Sequence, residues 1–222
     1  MGDKISLTAA DGFTFDTWLA KPEGQPKGAV MVIQEAFGVN QHIREVAEGF
    51  ARQGYLTMAP SLYDRQKKDV ELGYDPDALK EAVGYMGRMK PEQTRLDLQT
   101  CLNALAGTGP VGVVGYCLGG ALAWTAACSL DQVACASGYY GGGIPAQLDR
   151  TPRVPTILHF GEKDGYIPMD KVAAVREAAP DVPVYVYPAG HGFNCDHRAD
   201  FHQESADLAR KRTLELFAQH IG

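Results

Sequence analysis

Nothing in this sequence offers an obvious route into a membrane or onto a nucleic acid. No apolar run approaches the ~20 residues that a helical span needs. The N-terminus lacks the basic and then apolar regions of a secretory signal. Positive charge is in deficit, with 21 Lys and Arg against 27 Asp and Glu and a formal net charge of −6. That balance argues against a nucleic-acid surface and suits a freely diffusing protein. Cysteine is scarce and unpaired by pattern: Cys101, Cys117, Cys128, Cys135 and Cys195 are odd in number, scattered and without a CxxC pair. Free thiols of this kind suit a reducing, cytoplasmic setting rather than a disulfide framework. Repeats, linkers and low-complexity stretches are missing too. At 45% hydrophobic and 22% charged residues the 222-residue chain has ordinary globular composition, which fits one domain over residues 1–222. Gly2 and Ser6 do stand at N-myristoylation spacing. The pattern is short, however, and a strand-like segment begins almost at once.

What is present is an alternation of strands and helices. Ile5 to Ala20 reads as two antiparallel strands turning at Asp11-Gly12, a dipeptide that favours tight hairpins. After a Pro/Gly-rich loop from Lys21 to Gly28, the unbroken apolar run Ala29 to Ile33 is that of a strand covered on both faces. Asn40 caps a helix with Ile43, Val46, Ala47, Phe50 and Ala51 on one stripe, and Gly54 ends it. Strands follow at Tyr55 to Ala59, Val111 to Val114, Val133 to Ala136, Thr156 to Phe160 and Val184 to Tyr187. Helices are expected near Pro91 to Ala106, Leu118 to Leu130, Asp170 to Ala179 and Ala199 to His220. In the last, Ala209, Thr213, Leu216 and Phe217 share a face. This order predicts an α/β fold with a mostly parallel central sheet and helices on both faces. The polar stretch Ser61 to Pro76 is the one long irregular segment, a candidate lid or substrate loop.

The sharpest chemical feature is Gly115-Tyr116-Cys117-Leu118-Gly119-Gly120, between a buried strand and a helix. A nucleophile elbow needs small residues at −2 and +2, because the turn brings neighbouring backbones together and lifts the nucleophile clear of the sheet. Here cysteine stands in the nucleophile position, and the helix N-terminus favours its thiolate. The glycines do not space as a dinucleotide-binding loop. Asp164, directly after a predicted strand, and His191, flanked by Gly190 and Gly192, follow in the chain order nucleophile, acid, histidine. Glu162 and Asp170 are rival acids. His159 lies inside a strand and reads as core, whereas His42 and His220 read as helix-surface residues. His191, Cys195, His197 and His202 invite a metal reading, but their spacing fits no standard ligand pattern. Glu35, in Gln34-Glu35-Ala36-Phe37-Gly38, closes a central strand where such a fold supplies an oxyanion-hole N–H. As a negative neighbour it could hold a reactive thiol neutral or accept its proton.

Together these segments resemble the dienelactone hydrolase family, the carboxymethylenebutenolidases. The marks are QEAFGVN from Gln34, QGY from Gln53, PSLYDRQ from Pro60, GYCLGGALAW from Gly115, GYYG from Gly138 and AGHGF from Ala189. The resemblance implies an α/β-hydrolase fold and a Cys117, His191, Asp164 triad, with Glu35 partnering the thiol in the resting enzyme. It implies an oxyanion hole from the Ala36 and Leu118 N–H groups, and a pocket shaped by Phe37, Tyr139 and Tyr140. It implies a small-molecule ester or lactone substrate and neither metal nor organic cofactor. One departure stands out. Family members acting on dienelactone hold its carboxylate with two arginines, one in the lid loop and one four residues after the catalytic histidine. Here the second position is Cys195, and no arginine occurs from Gln66 to Gly87. Arg198, Lys67 or Lys68 are the available substitutes, though lysine lacks the bidentate fork. The competing reading is a non-catalytic thiol sensor of oxidants, for which an orienting acid has no use.

Overall fold

The computed structural model describes residues 2–222 and contains an eight-stranded sheet in the order β1-β2-β4-β3-β5-β6-β7-β8. Its strands are β1 (Asp3–Thr8), β2 (Thr14–Ala20), β3 (Gly28–Ile33), β4 (Tyr55–Pro60), β5 (Val111–Tyr116), β6 (Val133–Tyr139), β7 (Thr156–Gly161) and β8 (Val184–Tyr187). The first two form the expected hairpin, and β2 runs antiparallel to β4. All other pairings are parallel. The helices are α1 (Gln41–Ala51), α2 (Pro76–Gly87), α3 (Pro91–Ala106), α4 (Leu118–Ser129), α5 (Met169–Ala178) and α6 (Gln203–His220).

The central strands explain why an unbroken apolar run is needed. On β3, Val30 and Val32 join a core layer with Ile43 and Phe50 of α1 and Leu216 and Phe217 of α6. Ala29, Met31 and Ile33 point the other way, against Leu98, Leu102 and Leu105 of α3. Each residue of β3 is therefore buried, and the same holds along β5.

The structure adds to expectation in three places. Helix α2 occupies a region for which no helix was expected; Asp75 caps it by accepting from the Ala78 N–H, with Pro76 at the first turn. Helix α6 starts at Gln203 rather than Ala199, because His202 supplies the cap through its Nδ1 to the Ser205 N–H. The stretch from Ser61 to Pro76 is irregular as expected but pinned. Tyr63 donates its hydroxyl to the Ala36 carbonyl at 2.9 Å, the Leu72 N–H donates to the Phe37 carbonyl at 2.9 Å, and Glu71 bridges to Gly38. At the N-terminus the Gly2 N–H donates to Glu48 at 2.9 Å and β1 begins at Asp3. Of the Met1 to Ser6 pattern, Met1 lies outside the described residues.

Candidate active site

The elbow sits where β5 passes into α4, at the centre of the sheet. Cys117 has φ 53° and ψ −111°, a conformation that side-chain-bearing residues rarely adopt. The residues two before and two after it must be glycine for steric reasons. A Cβ at Gly115 would collide with the Gly119 carbonyl, and one at Gly119 with the carbonyl oxygens of Ile33 and Gln34. The turn is tied down by the Cys117 N–H to the Tyr139 carbonyl and the Gly119 N–H to the Gln34 carbonyl, both 3.0 Å. The β3 end and the elbow are thus bonded to each other.

Loops after β7 and β8 bring two more side chains to this turn. His191 Nε2 lies 3.2 Å from Cys117 Sγ, and its Nδ1 lies 2.7 Å from Asp164 Oδ2. Asp164 is buried, and its Oδ1 accepts the Tyr166 and Ile167 N–H groups at 2.8 and 3.1 Å. Glu162 and Asp170 are exposed and do not meet the imidazole. Burial on its own would lower the His191 pKa, but hydrogen bonds with Asp164 and Cys117 outweigh it and push the ring up to about 10. His159 supplies the contrast. It is core, as expected, and burial without a carboxylate partner, helped by the nearby Arg212 charge, lowers it to about 3.

A cavity of about 290 Å³ opens over Cys117 and His191. Ala36 and Leu118 line it, and among the described residues neither N–H has a hydrogen-bond acceptor in the protein. Phe37 and Arg198 also line it. Arg198, 15% exposed, places its guanidinium 5.7 Å from the rings of both Phe37 and Tyr74. Its nearest carboxylate partner is the exposed Asp200, 3.8 Å away. Burial works against the guanidinium charge, yet its pKa is raised, with the Glu35 carboxylate as the foremost opposing influence. Lys67 and Lys68 do not reach the cavity, and Lys68 is paired with Asp64 and Asp16. The wall expected from Ser61 to Pro76 comes instead from Leu79, Val83 and Met86 of α2.

Other residues singled out from the sequence stand elsewhere. Tyr139 is buried in the core with its hydroxyl 2.8 Å from Thr213, away from the cavity. Tyr140, at φ 36°, turns behind the site, with its ring 5.1 Å from that of His191. Glu35 is fully buried, but its Oε1 accepts the Tyr140 hydroxyl at 3.2 Å, and no hydrogen bond joins it to the Cys117 thiol. The expected resting contact between Glu35 and the thiol is therefore not made; the thiol faces His191. Glu35 Oε2 is buried without a partner.

The candidate metal set from the sequence does not converge: His191 faces Asp164, His202 caps α6, and His197 pairs with Glu45 at 2.7 Å. Two other groupings do. His42, which reads as a surface residue from its helix position, is buried; its Nδ1 is 3.3 Å from Asp196 Oδ1. It groups with Asp196 and His197 on one side and with buried Glu35 and Cys195 on the other, each set bringing its ligand-type atoms within 4.8 Å of one another. His220 is exposed, as expected.

A mostly parallel sheet with helices on both faces and a sharp strand-to-helix turn at its centre defines an α/β-hydrolase. Comparison with known proteins agrees and narrows the class. Residues 15–221 match the description "Dienelactone hydrolase family". Carboxymethylenebutenolidase 1 of Cupriavidus pinatubonensis is 32% identical over 229 residues, covering 98% of this chain and 97% of its own. The carboxymethylenebutenolidase of Pseudomonas putida is 32% identical over 225 residues, covering 96% and 95%. A crystal structure from Klebsiella pneumoniae subsp. pneumoniae, ascribed to a dienelactone hydrolase, superposes with a TM-score of 0.84 at 30% identity, covering 99% and 100%. The chain belongs to the dienelactone hydrolase family and is an ester or lactone hydrolase.

Proposed function

We propose that the reaction runs through a covalent thioester on Cys117. The observation that carries this reading is the unbroken relay of 3.2 and 2.7 Å from Sγ through His191 to Asp164. His191 Nε2 holds the proton it shares with the thiol, and the sulfur forms a bond to the substrate's carbonyl carbon. The oxygen becomes an oxyanion between the Ala36 and Leu118 N–H groups, an interaction worth a few kcal/mol in the transition state. The tetrahedral adduct expels the alkoxide, which takes the proton from the imidazolium. In a lactone this alkoxide stays tethered to the acyl group. His191 then deprotonates a water, the thioester is cleaved, and the acid leaves with Cys117 restored. Asp164 holds the ring with Nδ1–H toward itself and Nε2 toward the sulfur.

Glu35 is a buried negative neighbour in this scheme, held by Tyr140. A carboxylate brought close to a thiol disfavours the thiolate, so a movement of Glu35 toward Cys117 would tune when the nucleophile forms. Arg198 is a single guanidinium where the family's dienelactone-cleaving members use two, which favours a substrate without a free carboxylate. The cysteines of the described residues are all unbonded, which fits a reducing cytoplasm. Among those residues no helix is long and apolar enough to cross a membrane. The test is Cys117→Ala, assayed on p-nitrophenyl acetate with circular dichroism as the check on folding. Turnover should vanish with the fold intact; retained kcat would refute the covalent route.

A further inference from the structure

Large apolar side chains left in water on this protein are few, and their placement is uneven. Leu79 is 38% exposed, Val83 58% and Tyr166 70%, and all three line the cavity over Cys117. The first two belong to α2, whose residues Leu79, Val83 and Met86 follow an i, i+4, i+7 course along one face. That face adjoins the one holding α2 to the protein, and Met86 packs in both. Ala82 is buried against Phe37, and Tyr85 stacks on Tyr63 with ring centroids 5.1 Å apart. The helix therefore carries a wide apolar arc, whose Ala82 and Tyr85 edge is spent on packing and whose Leu79 and Val83 edge is turned to the mouth of the cavity. Across the mouth Tyr166 stands edge-on to His191, with ring centroids 5.1 Å apart. Gly142 and Gly143 leave the adjoining wall without side chains.

Exposed apolar surface concentrated beside a nucleophile marks the place where a ligand's own apolar surface is covered. We propose that the α2 face and Tyr166 hold an uncharged alkyl or aryl substituent of the substrate, so that the preferred substrates are esters extended by an apolar group and not small anionic lactones. This inference rests on the Cys117 reading for the position of the scissile bond. The apolar group can belong to the acyl or to the alcohol side, and both fit the same wall.

Two substrate series distinguish these sources: p-nitrophenyl acetate, butyrate and hexanoate on the acyl side, and methyl, butyl and hexyl acetate on the alcohol side. Covering one methylene is worth roughly two- to fourfold in kcat/KM at a half-open wall. At least one series should therefore rise tenfold or more from its shortest to its longest member. In Val83→Asp and, separately, Leu79→Gln, that rise should flatten, whatever the absolute rate. Both positions are exposed on a helix surface, so at least one variant should fold. The inference is overturned if both series are flat in the wild type, or if the rise survives in both variants. A concentration-dependent dimer that Val83→Asp dissociates, with flat series, would overturn it in favour of a self-association face. These failures are separable from failure of the nucleophile reading: if Cys117→Ala still turns over p-nitrophenyl acetate, the mechanism falls whatever the slopes.

Discussion

Replacing Asp164 by asparagine keeps the side chain's shape and removes its charge. Asp164 Oδ1 is committed to two backbone donors, the Tyr166 and Ile167 N–H groups at 2.8 and 3.1 Å, while Oδ2 faces His191 Nδ1 at 2.7 Å. An asparagine that keeps its carbonyl on those donors turns its NH2 toward Nδ1. Nδ1 must then accept, the ring proton moves to Nε2, and the atom facing Cys117 no longer takes the thiol proton. The lost charge-assisted bond costs about 1.5–3 kcal/mol, or roughly 10- to 150-fold. The reversed tautomer adds to this, and the corresponding change in a serine triad costs about 10⁴ in kcat. Asp164→Asn should therefore lower kcat/KM for p-nitrophenyl acetate by about 10³–10⁴ near neutral pH. Stability carries a second signature. Despite the opposing effect of burial, hydrogen bonds with Asp164 and Cys117 push His191 up to about 10. A raised folded-state pKa gives stability that is complete below the unfolded value of ~6.5 and is lost as pH rises through the folded one. The stability gap between wild type and Asp164→Asn should accordingly shrink as pH rises from 6.5 toward 10. Activity within tenfold of wild type, or a gap that widens with pH, would refute the reasoning. Glu162→Gln and Asp170→Asn, both at exposed positions, should stay within about twofold, as ordinary surface changes do.

Iodoacetamide near pH 8 should modify Cys117 alone. Burial pushes Cys135 and Cys195 up to about 12 and Cys128 up to about 11, and drives Cys101 further still; peptide mapping that finds a second adduct of comparable yield would contradict this. Glu35→Gln removes a buried negative charge and should move that alkylation profile to lower pH, whereas an unchanged profile would show that the two groups do not interact. Dienelactone should be a poorer substrate than its neutral methyl ester by kcat/KM, because one guanidinium replaces two and each such bond is worth roughly 1.5–3 kcal/mol. A preference for the free acid, abolished in Arg198→Ala, would show instead that Arg198 forms a full anion site.

The parts of the fold that rest on local pattern were legible. The unbroken apolar run Ala29 to Ile33 marked β3 because residues of both parities there meet a helix layer. The glycines around Cys117 marked the elbow because backbone comes too close for a Cβ. Helix α2 was not read, since only Ala82 and Tyr85 are buried on it and the rest of its apolar arc points into the cavity. The Asp75-Pro76 pair was the signal that could have found it. Burial of His42 depends on where Asp196 passes, and the inward turn of Arg198 depends on the path of the loop after His191. The first is set by a distant chain segment and the second by an irregular loop without a local pattern. Tyr139 and Tyr140 are adjacent, yet one ends a strand in the core and the other turns at positive φ to hold Glu35. That division lies in backbone geometry and in no residue pattern.

The central claim is that a carboxylic ester passes its acyl group to Cys117. Rapid mixing with p-nitrophenyl acetate, followed by acid quench and intact-mass and peptide mass spectrometry, observes that species directly. The expected result is a transient adduct of one acetyl group, located on the peptide carrying Cys117. It should form with the burst of p-nitrophenol and decay at the steady-state rate, and it should persist longer in His191→Ala, where deacylation lacks its base. Steady turnover with no adduct, or with the acetyl group on another residue, would contradict the account.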